Sequence, residues 1–305
     1  MQRVASLHTI TLDDGRQVAY RVFGDPLGFV VISCHGGLMS GLDAAISDAD
    51  ARARGIALVS PDRPGIGGTS RRPGHRMCDW VRDDLTALLQ HLEAQGARVD
   101  RFGVTGWSEG GQYALAVGHA FPERVTRVVV VAGALPLDDP ATFARLNRTD
   151  ATMARLSHRA PLVARALFAG SRILSRRFPR FVARVSGWTL DASDAAVLMR
   201  ESAWFAGAIA DGMADARGGV EEYHAFVGPW GFRPEDVRVP VVVHQGGADR
   251  LIPAAWGEAL VGRLPDARLR AYPGEGHFIV VSRRAELLDE FAEFVERPAA
   301  DRDPA

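Results

Sequence analysis

Five consecutive residues, Gly106-Trp107-Ser108-Glu109-Gly110, constrain the fold of this chain more than any other feature. The apolar run over residues 101–105 is typical of a strand, and residues 111–117 are typical of a helix. A serine on so sharp a strand-to-helix turn has strained backbone geometry, so its neighbours need almost no side chain. The pattern predicts that the Ser108 hydroxyl projects above a sheet as a candidate nucleophile.

Continuous apolar strands alternate with helical segments on both sides of this turn. Strands are predicted at residues 29–34, 57–60, 101–105, 128–131, 241–243 and 269–272, after a hairpin over residues 8–23, and helices near residues 43–54, 78–95 and 111–117. Strands of this kind, buried on both faces, are typical of a mostly parallel sheet that helices cover on both sides. We therefore predict an α/β fold.

The alternation stops between about residue 136 and residue 235, where only helical segments are predicted. An insertion at this point of the fold is expected to form a lid over the carboxyl edge of the sheet. We predict a core made of residues 1–135 and 236–297, a helical lid over residues 136–235, and a loose tail over residues 298–305.

The two halves of the predicted lid differ in charge. Residues 145–190 contain ten arginines and one acid, Asp150, whereas residues 191–236 contain nine acids and three arginines. Because opposite charges commonly neighbour each other on surface helices, we expect the halves to pair with each other or to form solvated helix faces. The alternatives are a basic wall for an anionic substrate and a helix that touches a membrane.

Two candidate partners of Ser108 follow later strands of the sheet. Asp249 lies after the strand that begins at residue 241, and His277 lies after the strand that begins at residue 269. A serine hydroxyl is a weak nucleophile at neutral pH and needs a base beside it. We expect His277 to take the proton and Asp249 to fix the imidazole tautomer. Asp138 and Asp139 are rival positions for the acid.

A fourth element of the predicted site lies upstream, where His35-Gly36-Gly37 follows the strand over residues 29–34. In the fold with the order Ser, Asp, His, the loop after this strand supplies one backbone N–H of the oxyanion hole, and the residue after the nucleophile supplies the other. Gly37 and Glu109 are the expected donors. We expect His35 to hold the loop by hydrogen bonds.

The chain resembles the α/β-hydrolase superfamily. The resemblance rests on His35-Gly36-Gly37, the run from Asp62 to Ser70, the pentapeptide around Ser108, Asp249, and Gly276-His277. It implies the α/β-hydrolase fold, with a mostly parallel eight-stranded sheet and an inserted helical lid. Within the superfamily the chain looks most like the esterase, lactonase and proline-iminopeptidase-like group, but Leu38-Met39 follows the glycines where the peptidases have Pro-Gly.

These residues together predict a serine hydrolase that cleaves a carboxylic ester, a lactone or a thioester by acyl transfer. A peptidase or amidase of the proline-iminopeptidase type is an alternative, in which Glu201, Glu221 or Glu222 would bind the substrate amine. Hydrolysis of a carbon–carbon bond is a second alternative. A binding receptor with little turnover is a third, from a different functional class.

The predicted pocket for the acyl group combines residues of the core and of the lid. Its candidate lining residues are Leu38, Trp107, Trp188, Trp204, Phe205 and Phe278. Phe226 and Trp230 belong to the same group of lid aromatics, which could instead form a core of the lid itself. The Glu109 side chain could raise the pKa of the base or contact a cationic substrate group, but we expect only its backbone to act.

Composition excludes several kinds of chemistry and partner. All 36 basic residues are arginines, so Schiff-base lysine chemistry and a Walker lysine are excluded. The net charge of -1 favours neither nucleic acid nor an anionic membrane as a partner of the whole molecule. We expect a small-molecule acyl substrate, no cofactor, no metal, no stable membrane anchoring, a possible homodimer and a cytoplasmic location.

Overall fold

An eight-stranded sheet forms the centre of the computed structural model, which describes residues 6–295. The strands are β1 (His8–Thr11), β2 (Gln17–Gly24), β3 (Phe29–Cys34), β4 (Ile56–Pro61), β5 (Phe102–Trp107), β6 (Val125–Val131), β7 (Val241–Gly246) and β8 (Ala267–Tyr272). Their order in the sheet is β1-β2-β4-β3-β5-β6-β7-β8. The predicted α/β fold with eight strands is confirmed.

The sheet is antiparallel at one edge and parallel elsewhere. β2 pairs antiparallel with both β1 and β4, and every pairing from β4 through β3, β5, β6 and β7 to β8 is parallel. Alternate residues of β6 belong to two different hydrophobic clusters. Val128 and Val130 belong to one, and Val129 and Val131 belong to the other. Because side chains of a strand alternate between faces, an apolar core lies on each side of the sheet.

Fourteen α-helices occur among the described residues. They are α1 (Asp48–Ala53), α2 (Met77–Asp79), α3 (Thr86–Ala94), α4 (Glu109–Ala120), α5 (Pro140–Phe143), α6 (Arg148–Arg159), α7 (Pro161–Arg177), α8 (Pro179–Gly187), α9 (Ala192–Arg200), α10 (Ser202–Gly212), α11 (Ala216–Phe226), α12 (Ala254–Val261), α13 (Ile279–Ser282) and α14 (Arg284–Asp289). A π-helical turn over Trp80–Leu85 joins α2 to α3, and a 3₁₀ turn over Gly41–Ser47 precedes α1. The helices predicted near 78–95 and 43–54 are therefore present but irregular.

The segment between β6 and β7 contains α5 to α11, and none of residues 136–235 lies in a strand. We call residues 136–235 the helical insert. The chain enters it from the carboxyl end of β6, which is the edge of the sheet where Ser108 lies after β5. The predicted tail over residues 298–305 falls outside the described residues. No helix within residues 6–295 combines the length and the apolar character needed to cross a bilayer.

The two halves of the helical insert do not pair with each other, and the arginines instead form solvated helix faces, the other arrangement that we expect from the sequence. Within the described part of the chain, none of the ten arginines of residues 145–190 forms a salt bridge, and nine of them are exposed. The acids of the second half pair with other arginines, as Glu221 does with Arg71 and Glu222 with Arg63. The physical reason is that these acids face the core of the fold, whereas the arginines face solvent.

Candidate active site

The turn between β5 and α4 has the geometry that the sequence predicts. Ser108 has a φ of +57°, in the left-handed region that residues other than glycine rarely adopt. A Cβ on Gly106 would lie 2.1 Å from the carbonyl oxygen of Gly110, and one on Gly110 would lie 2.0 Å from the carbonyl oxygen of Cys34. Close backbone packing therefore requires both glycines, and it keeps the turn in its strained conformation.

Asp249 and His277 meet at the carboxyl ends of β7 and β8. His277 Nδ1 lies 2.8 Å from Asp249 Oδ2, and both side chains are buried. The other carboxylate oxygen of Asp249 accepts hydrogen bonds from the backbone N–H groups of Leu251 and Ile252, at 2.8 and 2.9 Å. These bonds fix the carboxylate, which in turn leaves Nε2 of His277 as the ring nitrogen that can accept a proton.

The rival acids do not reach the histidine. Asp138 and Asp139 are both exposed, and Asp139 caps the beginning of α5 by accepting a hydrogen bond from the N–H of Thr142 at 2.8 Å. Of the three aspartates that the sequence offers for this role, Asp249 is therefore the one that contacts His277.

Electrostatics at His277 favour its charged form. Burial alone lowers the pKa of His277, but the charge and the hydrogen bond of Asp249 outweigh burial and raise that pKa above its ordinary value. Asp194 and Asp150 add smaller contributions in the same direction. The carboxylates thus favour the charged form of a buried imidazole.

Trp107 connects the turn that carries Ser108 to the loop that carries His277. Its indole N–H donates a hydrogen bond of 3.0 Å to the carbonyl oxygen of His277, and the ring centroids of the two side chains lie 5.4 Å apart. The Ser108 hydroxyl forms no hydrogen bond with any described residue, and bonds between nucleophile and base often tighten only when substrate is present.

The loop after β3 leaves the backbone N–H of Gly37 free near the turn that carries Ser108. Gly36 donates its N–H to Asp43 at 2.9 Å, and Leu38, at a φ of +61°, donates its N–H to Glu222 at 3.1 Å. The N–H of Gly37 has no partner among residues 6–295. The N–H of Glu109 lies in the first turn of α4, where helix N–H groups have no intrahelical acceptor.

His35 and Arg63 hold this loop in place by hydrogen bonds to its backbone. His35 Nε2 accepts a hydrogen bond from the N–H of Arg63 at 3.1 Å, while its Nδ1 lies 2.9 Å from the carbonyl oxygen of Gly36. Arg63 donates to the carbonyl oxygens of His35 and Gly36, at 2.6 and 3.1 Å. Burial lowers the pKa of His35 well below its usual range, so the ring is a neutral structural link.

Three buried ionisable side chains, those of Arg63, Glu222 and Glu109, lie directly behind the loop. Arg63 pairs with Glu222 of α11, and each of these side chains is 2% exposed. The Glu109 carboxyl lies 3.9 Å from the Arg63 guanidinium, and its Oε1 has no hydrogen-bond partner in the described structure. Burial and the charge of Glu222 raise the pKa of Glu109 well above its usual range. This shift favours the uncharged form of a carboxyl that lies next to Gly37.

A carboxylate from the helical insert holds the loop of the histidine. Asp194, in the first turn of α9, accepts hydrogen bonds from the backbone N–H groups of His277 and Phe278, each at 2.8 Å. The neighbouring Ser193 hydroxyl accepts one from the N–H of Gly276 at 3.1 Å. Three consecutive N–H groups of the loop thus bind the beginning of one helix, so the insert positions the histidine directly.

Four of the six predicted pocket residues form one aromatic cluster. Trp107 lies 5.1 Å from Phe278 and 6.3 Å from Trp204, and Phe205 lies 5.7 Å from Phe278, measured between ring centroids. Leu38 is half-buried in the loop after β3. Trp188 does not join them, because it lies at the end of α8 and is 71% exposed. The prediction that Trp188 lines the pocket is therefore wrong, because its side chain faces solvent away from the aromatic cluster.

Sequence reasoning missed Arg63, Asp194 and the supporting role of Glu222. Arg63 lies in the run from Asp62 to Ser70 that the resemblance had already marked, so an arginine at the carboxyl end of β4 was the available signal. Asp194 has no comparable signal, because its contact with His277 depends on how the insert docks. No group of three or more metal-ligating side chains is placed to hold a metal ion within residues 6–295.

A sequence model of the alpha/beta hydrolase family matches residues 30–290. The chain belongs to this family. It is 30% identical, over 249 residues, to a pimeloyl-[acyl-carrier protein] methyl ester esterase of Aromatoleum aromaticum, in a match that covers 73% of this chain and 81% of the relative. It is 32% identical, over 130 residues, to a non-heme chloroperoxidase of Streptomyces lividans, and that match covers 42% of this chain and only 45% of the relative.

The fold also matches solved structures of the family. A thermophilic esterase from Thermogutta terrifontis superposes with a TM-score of 0.70 at 19% identity, over 95% of this chain and 98% of the esterase. Together with family membership, these matches support a hydrolase.

Proposed function

We propose that this alpha/beta hydrolase is a serine hydrolase in which Ser108, His277 and Asp249 form the catalytic triad. The observation that carries the proposal is the 2.8 Å contact between His277 Nδ1 and Asp249 Oδ2, together with a serine at a φ of +57° whose neighbour Trp107 donates a hydrogen bond to the His277 carbonyl oxygen. The contact supports the tautomer that a general base needs, and a strained turn of this kind is expected to expose the serine hydroxyl.

In the proposed reaction, Ser108 Oγ attacks the carbonyl carbon of the substrate while His277 Nε2 takes the hydroxyl proton. The oxyanion that forms accepts hydrogen bonds from the N–H groups of Gly37 and Glu109. The bond to the leaving group then breaks, and His277 gives its proton to the departing oxygen or sulfur. Water, activated by His277, releases the acid from the acyl-enzyme and restores the serine. The reaction needs no cofactor or metal.

The proposed substrate is a carboxylic ester, a lactone or a thioester with an apolar acyl part. Support for the apolar part comes from the aromatic cluster of Trp107, Trp204, Phe205 and Phe278, which lies next to the histidine loop. Support for an ester comes from the relative named as a methyl ester esterase. The helical insert acts as the lid in this proposal, since Trp204 and Phe205 belong to its helix α10.

Ion pairs argue against the peptidase alternative. An aminopeptidase needs a free carboxylate to bind the substrate amine, yet each acid considered for that role is already paired: Glu201 with Arg200, Glu221 with Arg71 and Glu222 with Arg63. Binding an amine at Glu222 would also separate a buried charge pair, which is costly because the freed arginine would remain buried.

The test is hydrolysis of p-nitrophenyl esters of increasing chain length by the native protein and by Ser108→Ala. We expect repeated turnover by the native protein and a loss of at least about 10³-fold in rate for the variant. Ser186→Ala, which changes a serine of α8 without a side-chain hydrogen bond in the described structure, is the matched control and should retain full activity. Equal activity in native protein and Ser108→Ala would refute the triad. A single stoichiometric release without turnover would favour the receptor alternative.

A further inference from the structure

Exposed apolar side chains are concentrated in one part of the helical insert. Twelve large apolar side chains are exposed within residues 6–295, and ten of them lie between Leu162 and Met199. They are Leu162, Val163, Leu167, Ile173, Leu174, Phe178, Phe181, Val185, Trp188 and Met199. A contiguous exposed apolar surface on a water-soluble fold commonly marks an interaction site.

Helix α7 has its apolar stripe on the side away from the protein. Its buried positions are Ala164, Phe168 and Ser175, two of which are small. Val163, Leu167 and Leu174 are exposed at spacings of four and seven residues, so they share one side of the helix, next to the buried positions. Leu162 and Ile173, also exposed, lie opposite the buried positions. An ordinary surface helix buries its aliphatic residues, and this one exposes them.

Helix α8 continues the same arrangement. Ala183 and Gly187 are its buried residues, whereas Phe181 and Val185, four residues apart, are exposed. Phe178 is exposed between the two helices. We call the exposed residues of Pro161–Arg177 and Pro179–Gly187 the α7–α8 face.

Arginines lie on the same two helices, and no acid of the described structure neutralises them. Arg165, Arg172 and Arg176 lie along one side of α7 at spacings of seven and four residues, and Arg180 and Arg184 follow on α8. No described acid pairs with any of the five. The one acid of residues 145–190, Asp150, accepts hydrogen bonds from Tyr223 and Asn147 instead.

We propose that the α7–α8 face docks the protein reversibly on an anionic lipid surface. Its aliphatic and aromatic side chains would enter the boundary between headgroups and acyl chains, while the flanking arginines would contact lipid phosphates. Helices that lie in the membrane interface expose Leu and Phe beside arginine and are too polar to span a bilayer, and the α7–α8 face has this composition.

The charge of the α7–α8 face favours an anionic lipid surface over a second copy of the chain as its binding partner. In a two-fold dimer the same patch of both copies meets, so the unpaired arginines of one copy would face those of the other. An anionic lipid surface instead attracts these arginines, and each arginine close to it strengthens binding about fivefold. Because the attraction is electrostatic, it weakens as salt screens it.

The experiment is flotation of the full chain with vesicles of phosphatidylcholine alone and of phosphatidylcholine with phosphatidylglycerol, at low and at high salt. We expect binding to the anionic vesicles that falls with salt, and much weaker binding to the neutral ones. Arg176→Gln with Arg180→Gln should weaken anionic-vesicle binding by roughly tenfold or more. Ile173→Gln with Phe181→Gln should weaken binding to the same vesicles at both salt concentrations.

Matched controls remove charge and apolar surface elsewhere. Arg101→Gln with Arg238→Gln changes two exposed arginines outside the insert, and Leu27→Gln changes a leucine that is 96% exposed. Both controls should bind like the native protein. All variants should keep the native melting temperature and the native rate on a soluble ester, because the altered side chains face solvent.

Three outcomes would overturn the proposal: no flotation with anionic vesicles at low salt, equal flotation of the native protein and both α7–α8 variants, or a dimer in sedimentation that Ile173→Gln with Phe181→Gln abolishes. The last outcome would assign the α7–α8 face to a second copy.

Discussion

Asp249 shows how much of the candidate site depends on single atoms. Its Oδ2 contacts His277, and its Oδ1 accepts hydrogen bonds from two backbone N–H groups, so both oxygens have hydrogen-bond partners. The residue therefore has two separable effects: it fixes the orientation of the imidazole, and its charge raises the histidine pKa.

Asp249→Asn tests both effects. We expect the rate on a neutral ester to fall by about 10⁴-fold, since an amide can hold the ring in the wrong tautomer. In the native protein the base must be neutral, so kcat/KM should rise with pH around a pKa above the ordinary histidine value of about 6.5. Without the aspartate charge, that rising limb should move to lower pH in the residual activity. An unchanged limb would show that another group controls the profile.

At the residue scale, sequence reasoning identified the positions that local chemistry dictates. Gly106 and Gly110 could be predicted because a turn of this kind tolerates no Cβ, and the structure shows the clashes that a Cβ would cause. Arg63 could not be assigned its role, because an arginine after a strand is ordinarily exposed, and here it is buried by pairing with Glu222 from α11.

At the scale of elements, α9 connects the helical insert to the histidine loop. Ser193 and Asp194 bind three consecutive backbone N–H groups of that loop. A Cβ on Gly276 would lie 2.2 Å from Asp194 Oδ2, so the loop approaches the helix as closely as glycine allows. Any movement of α9 therefore moves His277 with it.

Asp194→Asn should reveal this connection. An amide has one acceptor oxygen where the carboxylate has two, so one N–H of the loop loses its partner. We expect kcat to fall by about tenfold while the fold persists. Because the Asp194 charge also raises the His277 pKa, the rising limb of kcat/KM should shift to lower pH.

Ser193→Ala is the matched control for this variant. It removes the hydrogen bond to Gly276 without removing a charge. It should lower kcat slightly and leave the rising limb of the kcat/KM profile at the same pH. If Asp194→Asn behaves like Ser193→Ala in both measurements, Asp194 supports the loop without tuning the base.

The central strands were predictable as elements because each is a short apolar run buried on both faces, as in β3, β4, β6 and β7. Helix α7 was less so. Its periodicity indicates a helix, but periodicity alone does not say which face is buried, and the small face of Ala164 and Ser175 packs inward. The contact between α9 and the histidine loop depends on tertiary docking, which no local pattern in the sequence encodes.

At the scale of the whole molecule, buried histidines link stability to pH. His244 of β7 is fully buried and lies 2.8 Å from the Tyr272 hydroxyl, and burial lowers its pKa to about 4. Unfolding returns the histidine to an ordinary pKa of about 6.5. Protonation therefore favours the unfolded chain, so the stability that this group contributes is present above pH 6.5 and is lost as the pH falls towards 4.

His244→Gln should remove this dependence. The free energy of unfolding of the native protein should fall more steeply between pH 6 and pH 4 than that of the variant, by up to about 1.4 kcal/mol per pH unit. Urea denaturation at several pH values measures both slopes. Parallel curves for the two proteins would contradict a depressed histidine pKa in the folded state.

The pairing of Val128 in β6 with Val241 in β7 has a consequence for how the protein is made. The whole helical insert separates these strands in sequence, so a growing chain carries Ser108 long before it carries Asp249 and His277. Until β7 arrives, β6 is an open edge that can bind other nascent chains, and such distant pairings form slowly. Ser108 lacks both of its proposed partners during that time, so biosynthesis completes the proposed triad only when the sheet itself is complete.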